Sequence, residues 1–379
     1  MRTRVPGPAV RPAAVSPSAP QVGQVGCETV SSDDFPAQVQ AELDTFLAAR
    51  GDQLSELGPQ LEPFLGAAAE AVGGGKRLRP AFCFWGWRAA GGDADDQRIV
   101  TAAAALELLH ASALVHDDVM DDSATRRGLP AAHKQFSARH EKEGWPGRAG
   151  SFGVGAAILL GDLLLSWADQ MLHASGLDPV AVHRALPYFD AMRNEVVAGQ
   201  YLDLVAQNSG RTSVPEAMRV VRYKSAKYTV ERPLHLGAAL AGADQRMFGM
   251  LTSYGLPLGE AFQLRDDLLG VYGDPAVTGK PAGDDLREGK QTMLVALATE
   301  RADPEQAVEL HRLFPAPTDD AGVERLRAII EATGARDRVE KLITRLSAAA
   351  TTALDQAAFD DDVTAALHDL AAAATRRDS

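Results

Sequence analysis

The fold is read from one stretch of the chain, Leu109-His110-Ala111-Ser112-Ala113-Leu114-Val115-His116-Asp117-Asp118-Val119-Met120-Asp121-Asp122-Ser123-Ala124-Thr125-Arg126-Arg127-Gly128. An apolar run leads directly into four acids, and two arginines follow. Read as a helix, Asp117 and Asp121 share one face. Mg²⁺ prefers one or two such carboxylates, together with water and substrate phosphate oxygens. Arg126 and Arg127 add forked donors suited to a diphosphate. The stretch therefore predicts a helix that ends at a magnesium-diphosphate site.

A second acid pair stands far downstream, in Phe262-Gln263-Leu264-Arg265-Asp266-Asp267-Leu268-Leu269-Gly270. It also ends an apolar, helix-like run. One acid pair at a helix end is as readily a solvated cap as a binding site. Two such pairs, each near basic residues and a Gly-rich loop, favour binding sites over solvated caps.

A third motif, Gly74-Gly75-Lys76-Arg77-Leu78-Arg79-Pro80, follows the first long helical pattern. Flexible backbone at the glycines lets the basic side chains converge on a phosphate. The alternative is a solvated basic turn. The residues of the motif alone are compatible with either a solvated turn or an anion clamp.

The composition limits the possible partners and the compartment. The chain has 379 residues and a net charge of −13, which argues against nucleic acid as a partner. Its two cysteines, Cys27 and Cys83, make no disulfide framework, so a cytoplasmic location is expected. The most apolar window, Ile99 to Val115, is interrupted by Glu107 and His110, which predicts a buried helix and no transmembrane segment.

The remaining pattern is helical throughout. Residues 1–34 are rich in Pro, Ser and Gly without a helical period, so a disordered N-terminal tail is expected. Residues 35–379 are expected to form one all-α domain, because no alternating strand pattern of useful length occurs. We expect Thr125 to Trp145 and Gly270 to Lys290 to be connections. The main helices are expected at Phe35 to Ala71, Asp96 to Asp118, Phe152 to Leu172, Pro179 to Gln207, Val214 to Ala241 and Met247 to Leu269.

Together, the ordered motifs resemble those of the trans-polyprenyl diphosphate synthase family, the polyprenyl synthetases, from about residue 36 to the C-terminus. The resemblance also includes Thr278-Gly279-Lys280-Pro281 and Asp285-Leu286-Arg287-Glu288-Gly289-Lys290. It implies a large helical bundle of the isoprenoid synthase type around a central cavity, usually as a homodimer. The implied reaction condenses isopentenyl diphosphate with an allylic diphosphate.

The resemblance also assigns roles to individual residues. Three Mg²⁺ ions are expected on Asp117, Asp118, Asp121, Asp266 and Asp267. Isopentenyl diphosphate is expected on Lys76, Arg79, His110 and Arg127. The allylic diphosphate is expected on Arg126, Lys224, Ser225, Gln263, Lys280 and Lys290, and catalysis is expected to depend on Lys224, Ser225, Gln263 and Arg126.

One position departs from the resembling pattern. The family's second motif often ends in a third aspartate, where this chain has Gly270. Asp266 and Asp267 remain, and Asp285 follows in the next loop. We therefore expect activity, with the outer ligands of the third Mg²⁺ as the open point.

Product length is predicted from the helix that carries Asp117. Ser112 and Ala113 lie one turn before it, where aromatic residues in the resembling family stop synthesis at fifteen carbons. Small residues leave the pocket open, and Leu109 is expected to form its floor. Each helical turn rises about 5.4 Å, close to one five-carbon unit. The expected product is geranylgeranyl diphosphate, with farnesyl or longer products as the alternatives.

Two other classes of protein share parts of this pattern. A class I terpene cyclase also carries an Asp-Asp-x-x-Asp motif, but it needs no isopentenyl site. The basic motif from Lys76 to Arg79 and the pair Arg126-Arg127 favour a synthase. A non-catalytic regulatory subunit of a two-component synthase characteristically loses acids, whereas this chain keeps five of the six motif positions.

Overall fold

The computed structural model describes residues 34–273, 283–314 and 319–375. It is 81% helical, which confirms the all-α prediction. The α-helices are α1 (Phe35–Ser55), α2 (Glu62–Val72), α3 (Leu78–Ala89), α4 (Gln97–Met120), α5 (Ala132–Lys142), α6 (Ala149–His173), α7 (Pro179–Ser209), α8 (Val214–Val220), α9 (Arg232–Ala241), α10 (Gln245–Tyr272), α11 (Asp284–Arg287), α12 (Met293–Arg301), α13 (Pro304–Leu313), α14 (Asp320–Ala332), α15 (Ala335–Ala357) and α16 (Asp361–Thr375). A 3₁₀ turn covers Pro59–Leu61, a π-helix covers Val221–Glu231, and strands Thr125–Arg126 and Leu129–Pro130 pair antiparallel.

Helix α4 is the central helix of the larger hydrophobic core. Its first turn is capped by the Asp96 carboxylate, which accepts a hydrogen bond from the backbone N–H of Arg98 at 3.0 Å. Alanine and leucine dominate its middle, and every residue from 102 to 109 is buried. It packs against α3 and α6. This burial fixes the direction in which α4 delivers Asp117 and Asp121.

Helix α10 connects two hydrophobic cores. Its N-terminal half, including Leu251 and Tyr254, belongs to the core around α4. Its C-terminal half, including Leu264 and Leu268, belongs to a smaller core with α12, α14 and α15. The second acid pair lies in that C-terminal half. The predicted N-terminal tail lies outside the described residues.

Three segments differ from the sequence-based expectation. In the expected connection Gly270 to Lys290, α10 continues to Tyr272 and α11 covers Asp284–Arg287. The connection Thr125 to Trp145 contains a short hairpin and helix α5, because His133, Phe136 and His140 share a helical face that is buried near α6. The expected single helix Val214 to Ala241 is interrupted by the π-helix. The hydrophobic period did not reveal this wider turn, and π-helical turns are frequent at functional sites.

Two helices have the length and composition of a membrane span. Most of the apolar window of α4 is buried, whereas only 28% of that of α6 is buried. The expectation of a buried helix is met for α4. The apolar face of α6 was not anticipated, because the sequence does not show which side of the helix is covered.

Candidate active site

A cavity of about 1260 Å³ opens between α4, α7, the π-helix and α10. It brings together predicted site residues that are far apart in the sequence. The predicted residues that line it are Lys76, Arg79, His110, Ala113, Asp117, Arg126, Arg127, Lys224, Ser225, Gln263, Asp266, Asp267 and Lys290. Lys280 lies outside the described residues. The central cavity inferred from the resemblance is therefore present.

The two carboxylates at the end of α4 have opposite electrostatic surroundings. Burial disfavours the ionised form of Asp117, but Lys224 and Lys290 outweigh it and hold its pKa below the usual value. Burial raises the pKa of Asp121 to about 6, and the charge of Asp117 adds to this shift. Asp121 is not among the residues that line the cavity, but its Oδ2 lies 3.8 Å from Nζ of Lys290, which does line it. Oδ1 of Asp121 is buried and has no hydrogen-bond partner among the described residues. A bound cation would therefore stabilise the negative charge of these two carboxylates.

Asp118 does not line the cavity, in contrast to its predicted supporting place at the metal. It is buried and forms an ion pair with Arg126, whose Nε donates to Oδ1 at 3.0 Å. Because Asp118 points away from the face of Asp117 and Asp121, its carboxylate orients Arg126. Arg126 itself does line the cavity.

Lys224 lies on the π-helix and contacts carboxylates from two other helices. Its Nζ is 2.6 Å from Oδ2 of Asp203 on α7 and 3.4 Å from Oδ1 of Asp117 on α4. Burial opposes its charge, but Asp117 and Asp203 raise its pKa, so it stays an ammonium. Gly199 on α7 permits this close approach, since a Cβ there would lie 2.7 Å from the Lys224 Cα.

The second motif lies at the end of α10. Burial raises the pKa of Asp267 to about 7; a hydrogen bond from Gln263 opposes that shift, and the charges of Asp285 and Asp266 add to it. Gln263 Nε2 donates to Asp267 at 2.8 Å. Lys290 lies between the motifs, with its Nζ 3.5 Å from Asp285 and 3.8 Å from Asp121. Its shortest ion pair, at 2.6 Å, is with Glu288. Asp117, Asp266, Asp267 and Lys290 therefore line one cavity.

Basic side chains lie beside these acids and form a basic wall of the cavity, which consists of Lys76, Arg79, His110 and Arg127. The Arg79 guanidinium lies over the Tyr228 ring at 4.5 Å and donates to Thr229 at 2.9 Å. Within the described residues, the buried Nε of Arg79 and Nδ1 of His110 have no hydrogen-bond partner. Burial lowers the pKa of His110, and Arg79 and Arg127 lower it further, so the ring is neutral. Unpartnered donors at a positive wall fit a phosphate group.

Arg77 fixes the loop that presents these basic residues. Its backbone is left-handed, with φ of 51°, and its side chain is buried. The guanidinium donates to Glu107 on α4 at 2.6 Å and to the carbonyl of Val72 at 2.7 Å. The side chain of Arg127 also reaches this loop, at the carbonyl of Gly73.

The donor set fits Mg²⁺ that is shared with a phosphate-bearing substrate. Asp121 offers an unpartnered buried oxygen, and the two motifs supply carboxylates alone. Across the described ranges, no group of three or more His, Cys, Asp or Glu side chains is arranged to chelate a metal by itself. Such open coordination is expected where phosphate oxygens complete the shell of Mg²⁺.

The predicted chain-length residues are not all placed on the cavity. Ala113 lines it. Ser112 and Leu109 are buried but are not part of the lining, and Leu109 belongs to the hydrophobic core around α4. Successive helical residues point in different directions, so only one of the three faces the open space.

The sequence reasoning missed Asp203 and Glu107 as parts of the site. It grouped Arg77 with the anion clamp, whereas the structure buries Arg77 and pairs it with Glu107. Asp203 is one of three acids spread along the long amphipathic helix α7, and it belongs to none of the quoted motifs. The charge of Glu107 was noticed only as an interruption of an apolar window. The available signal was that a buried glutamate needs a cationic partner, and Arg77 is that partner.

These features define a class of protein: an all-helical protein in which two acid motifs and a set of basic side chains meet at one cavity. Residues 62–333 match the family model described as polyprenyl synthetase. The chain belongs to the polyprenyl synthetase family, and it is a chain-elongating prenyltransferase.

Individual relatives agree with this assignment. The chain is 36% identical to the geranylgeranyl diphosphate synthase of Mycobacterium tuberculosis, covering 77% of this chain and 78% of the relative. It is 34% identical to the geranylfarnesyl diphosphate synthase of Aeropyrum pernix, covering 70% and 79%. A Corynebacterium glutamicum geranylgeranyl pyrophosphate synthase, solved with isoprenyl diphosphate and magnesium, superposes with a TM-score of 0.88 at 40% identity, covering 92% of this chain and 100% of that one.

Proposed function

We propose that the protein condenses isopentenyl diphosphate with an allylic diphosphate to form geranylgeranyl diphosphate. The observation that carries the proposal is the cavity itself, where both acid motifs adjoin a cationic wall with unpartnered buried donors. The relatives named as twenty-carbon synthases support the product length.

The allylic diphosphate is assigned to the acid end of the cavity. Asp117, Asp121 and Asp266 would hold three Mg²⁺ ions, which neutralise the charge that develops on the leaving diphosphate. Arg126, Lys224 and Lys290 add positive charge around the same group, as Lys280 does in the sequence-based prediction. As the allylic C–O bond breaks, Ser225 and Gln263 turn their dipoles toward the cation.

Isopentenyl diphosphate is assigned to the basic wall. Lys76, Arg79 and Arg127 neutralise its charge, and neutral His110 donates one hydrogen bond. The double bond then attacks the allylic cation, and a new C–C bond forms. A proton leaves the adjacent carbon for the released diphosphate, so no protein base is required.

The test is incubation of the purified protein with isopentenyl diphosphate and a five-, ten- or fifteen-carbon allylic diphosphate. We expect a twenty-carbon product with Mg²⁺ and none with a chelator, measured by mass spectrometry after dephosphorylation. Asp121→Asn should remove turnover. Asp122→Asn is the matched control, since Asp122 is exposed and pairs with Lys134 outside the cavity lining.

The same assay separates the rival functions. A terpene cyclase would release hydrocarbon or alcohol from the allylic substrate alone. A regulatory subunit would form no product by itself. Either result would overturn the proposed condensation.

We propose in addition that the protein is a homodimer in the cytoplasm, joined through α6. Phe152, Ile158 and Leu159 are exposed on that helix, Leu159 to 62%. Exposure of such an apolar face to water is unfavourable, and the same face of a second copy of the chain would bury it. Light scattering should give the dimer mass for the parent and the monomer mass for Leu159→Glu. A monomeric parent, or one that binds lipid vesicles through α6, would refute the dimer.

A further inference from the structure

Gly270 and Asp285 compete for the same space at the second acid motif. Gly270 ends the motif, three residues after Asp267. A Cβ built on Gly270 would overlap Oδ2 of Asp285 and lie 2.5 Å from its Cγ. The Asp285 carboxylate therefore occupies the place from which a side chain at position 270 would extend.

Helix α11 is fixed so that Asp285 stays in this position. The backbone N–H of Gly283 donates to the carbonyl of Gly270 at 3.1 Å, which joins the start of α11 to the end of α10. Leu286 is buried in the smaller core. The backbone N–H of Lys290 donates to the carbonyl of Asp285 at 2.9 Å, which closes the turn behind it.

The surroundings of the Asp285 side chain belong to the metal-binding end of the cavity. Asp285 lines the cavity together with Asp266 and Asp267. Its Oδ1 lies 3.5 Å from Lys290 Nζ, which in turn lies 3.8 Å from Asp121. Lys290 also pairs with Glu288 at 2.6 Å. The Asp285 carboxylate therefore lies on the cavity beside Asp266 and Asp267, with Lys290 between it and Asp121.

We propose that Asp285 is the third acid of the second motif, supplied by α11 in place of a side chain at Gly270. The inference rests on the proposed function, because it concerns the same Mg²⁺ ions. In this proposal Gly270, which has no side chain, leaves space for the Asp285 carboxylate of α11. Asp285 would act on the metal as an outer ligand or through a bound water.

The test measures Mg²⁺ binding directly by calorimetry, in the presence of a non-ionisable thiolodiphosphate analogue of the allylic substrate. Asp285→Asn keeps the shape and removes the charge, and it should weaken Mg²⁺ binding by about tenfold or more. Gly270→Asp combined with Asp285→Gly moves the carboxylate back to α10 and should restore binding to within about threefold of the parent. Asp122→Asn, with its exposed carboxylate, should bind Mg²⁺ as the parent does.

Each outcome decides the proposal. Parent-like Mg²⁺ affinity in Asp285→Asn overturns it, and so does a folded double variant that binds as weakly as Asp285→Asn. If circular dichroism shows the double variant to be unfolded, Gly270→Ala decides: its methyl group displaces the carboxylate, so weakened binding supports the proposal and parent-like binding overturns it. A parent that binds no Mg²⁺ with the analogue would instead refute the proposed function.

Discussion

At the scale of single residues, the site holds carboxylates where burial makes their charge unfavourable. Asp267 is the clearest case, since burial raises its pKa to about 7. The buried charge lowers the stability of the metal-free protein, and a cation bound at the proposed site would offset that cost. Removing the charge should therefore stabilise the metal-free protein while it damages the site.

Asp267→Asn should raise the free energy of unfolding at pH 8, without Mg²⁺, by on the order of 2–4 kcal/mol. The folded-state pKa lies above the ordinary value of 3.8, so the cost of the charge grows from about pH 4 to 7 and is complete above 7. The difference between variant and parent should accordingly shrink at pH 5. Urea unfolding at both pH values measures it, with exposed Asp52→Asn as a control that should show no difference. Equal stability of Asp267→Asn and the parent at pH 8 would contradict this account.

A second prediction at this scale separates the two diphosphate positions. Lys76→Ala and Arg79→Ala should raise the KM for isopentenyl diphosphate, because they supply ground-state binding. A charge-assisted hydrogen bond is worth roughly 1.5–3 kcal/mol, or about ten- to a hundredfold in KM. Lys224→Ala should instead lower kcat, since its ammonium meets charge that develops during ionisation.

Steady-state kinetics with each substrate varied in turn provides the measurement. Lys134→Ala removes a lysine that pairs with exposed Asp122 outside the cavity lining, and it should leave both constants unchanged. Identical kinetic patterns for the two groups of variants would mean that the assignment of two positions fails.

At the scale of elements, the π-helix is held between two glycines. Gly199 of α7 faces the Lys224 backbone, and Gly259 of α10 faces Ala226, whose carbonyl oxygen would lie 2.5 Å from an added Cβ. Close approach from both sides determines where the π-helix presents Lys224 and Ser225. The position of Lys224, to which we assign a catalytic role, thus depends on two glycines that take no part in the proposed reaction.

Gly199→Ala should displace the π-helix, cost about 1–3 kcal/mol of stability, and lower kcat at temperatures where the protein remains folded. The methyl group cannot be accommodated, because it meets backbone atoms rather than a flexible side chain. Thermal unfolding and kinetics on the same preparation give both quantities. Gly249→Ala is the matched control in α10, where a Cβ meets nothing within 4 Å, and it should be neutral or slightly stabilising. Undiminished kcat in Gly199→Ala would show that the contact does not position Lys224.

The elements also show what the sequence could predict. The α4 pattern of alanine and leucine leading into Asp117 predicted both a buried helix and its position at the site. The π-helix could not be predicted, since its hydrophobic residues fit an ordinary helix, and its close contacts with Gly199 and Gly259 exist only in the folded chain. Asp203 was missed for the same reason: its contact with Lys224 exists only after two helices pack.

At the scale of the whole molecule, the cavity is built where the larger core around α4 meets the smaller core around α12. Helix α10 takes part in both cores, and its C-terminal half places the second motif at the same cavity as the first. Local patterns indicated both motifs, but their shared cavity followed from the family resemblance and not from periodicity. The same limit applies to product length, since the wall along which the hydrocarbon grows is formed by several helices.

Product length provides the last prediction, and the structure changes one part of it. Ala113 lines the cavity, so Ala113→Phe should block the growing chain and shift the product from twenty carbons toward fifteen. Leu109 was expected to form the floor, but it is buried in the core with 3% of its surface exposed. Leu109→Ala should therefore cost about 2–5 kcal/mol of stability and leave the product length unchanged.

Mass spectrometry of the dephosphorylated products, alongside thermal unfolding, distinguishes the two effects. A longer product from Leu109→Ala would restore that residue as the floor, because a chain can extend only into space that the substitution opens. An unchanged twenty-carbon product from folded Ala113→Phe would place the hydrocarbon along α7 instead, where Val196, Val197 and Leu204 line the cavity. In that case, bulky substitutions at Val196 should shorten the product where Ala113→Phe does not.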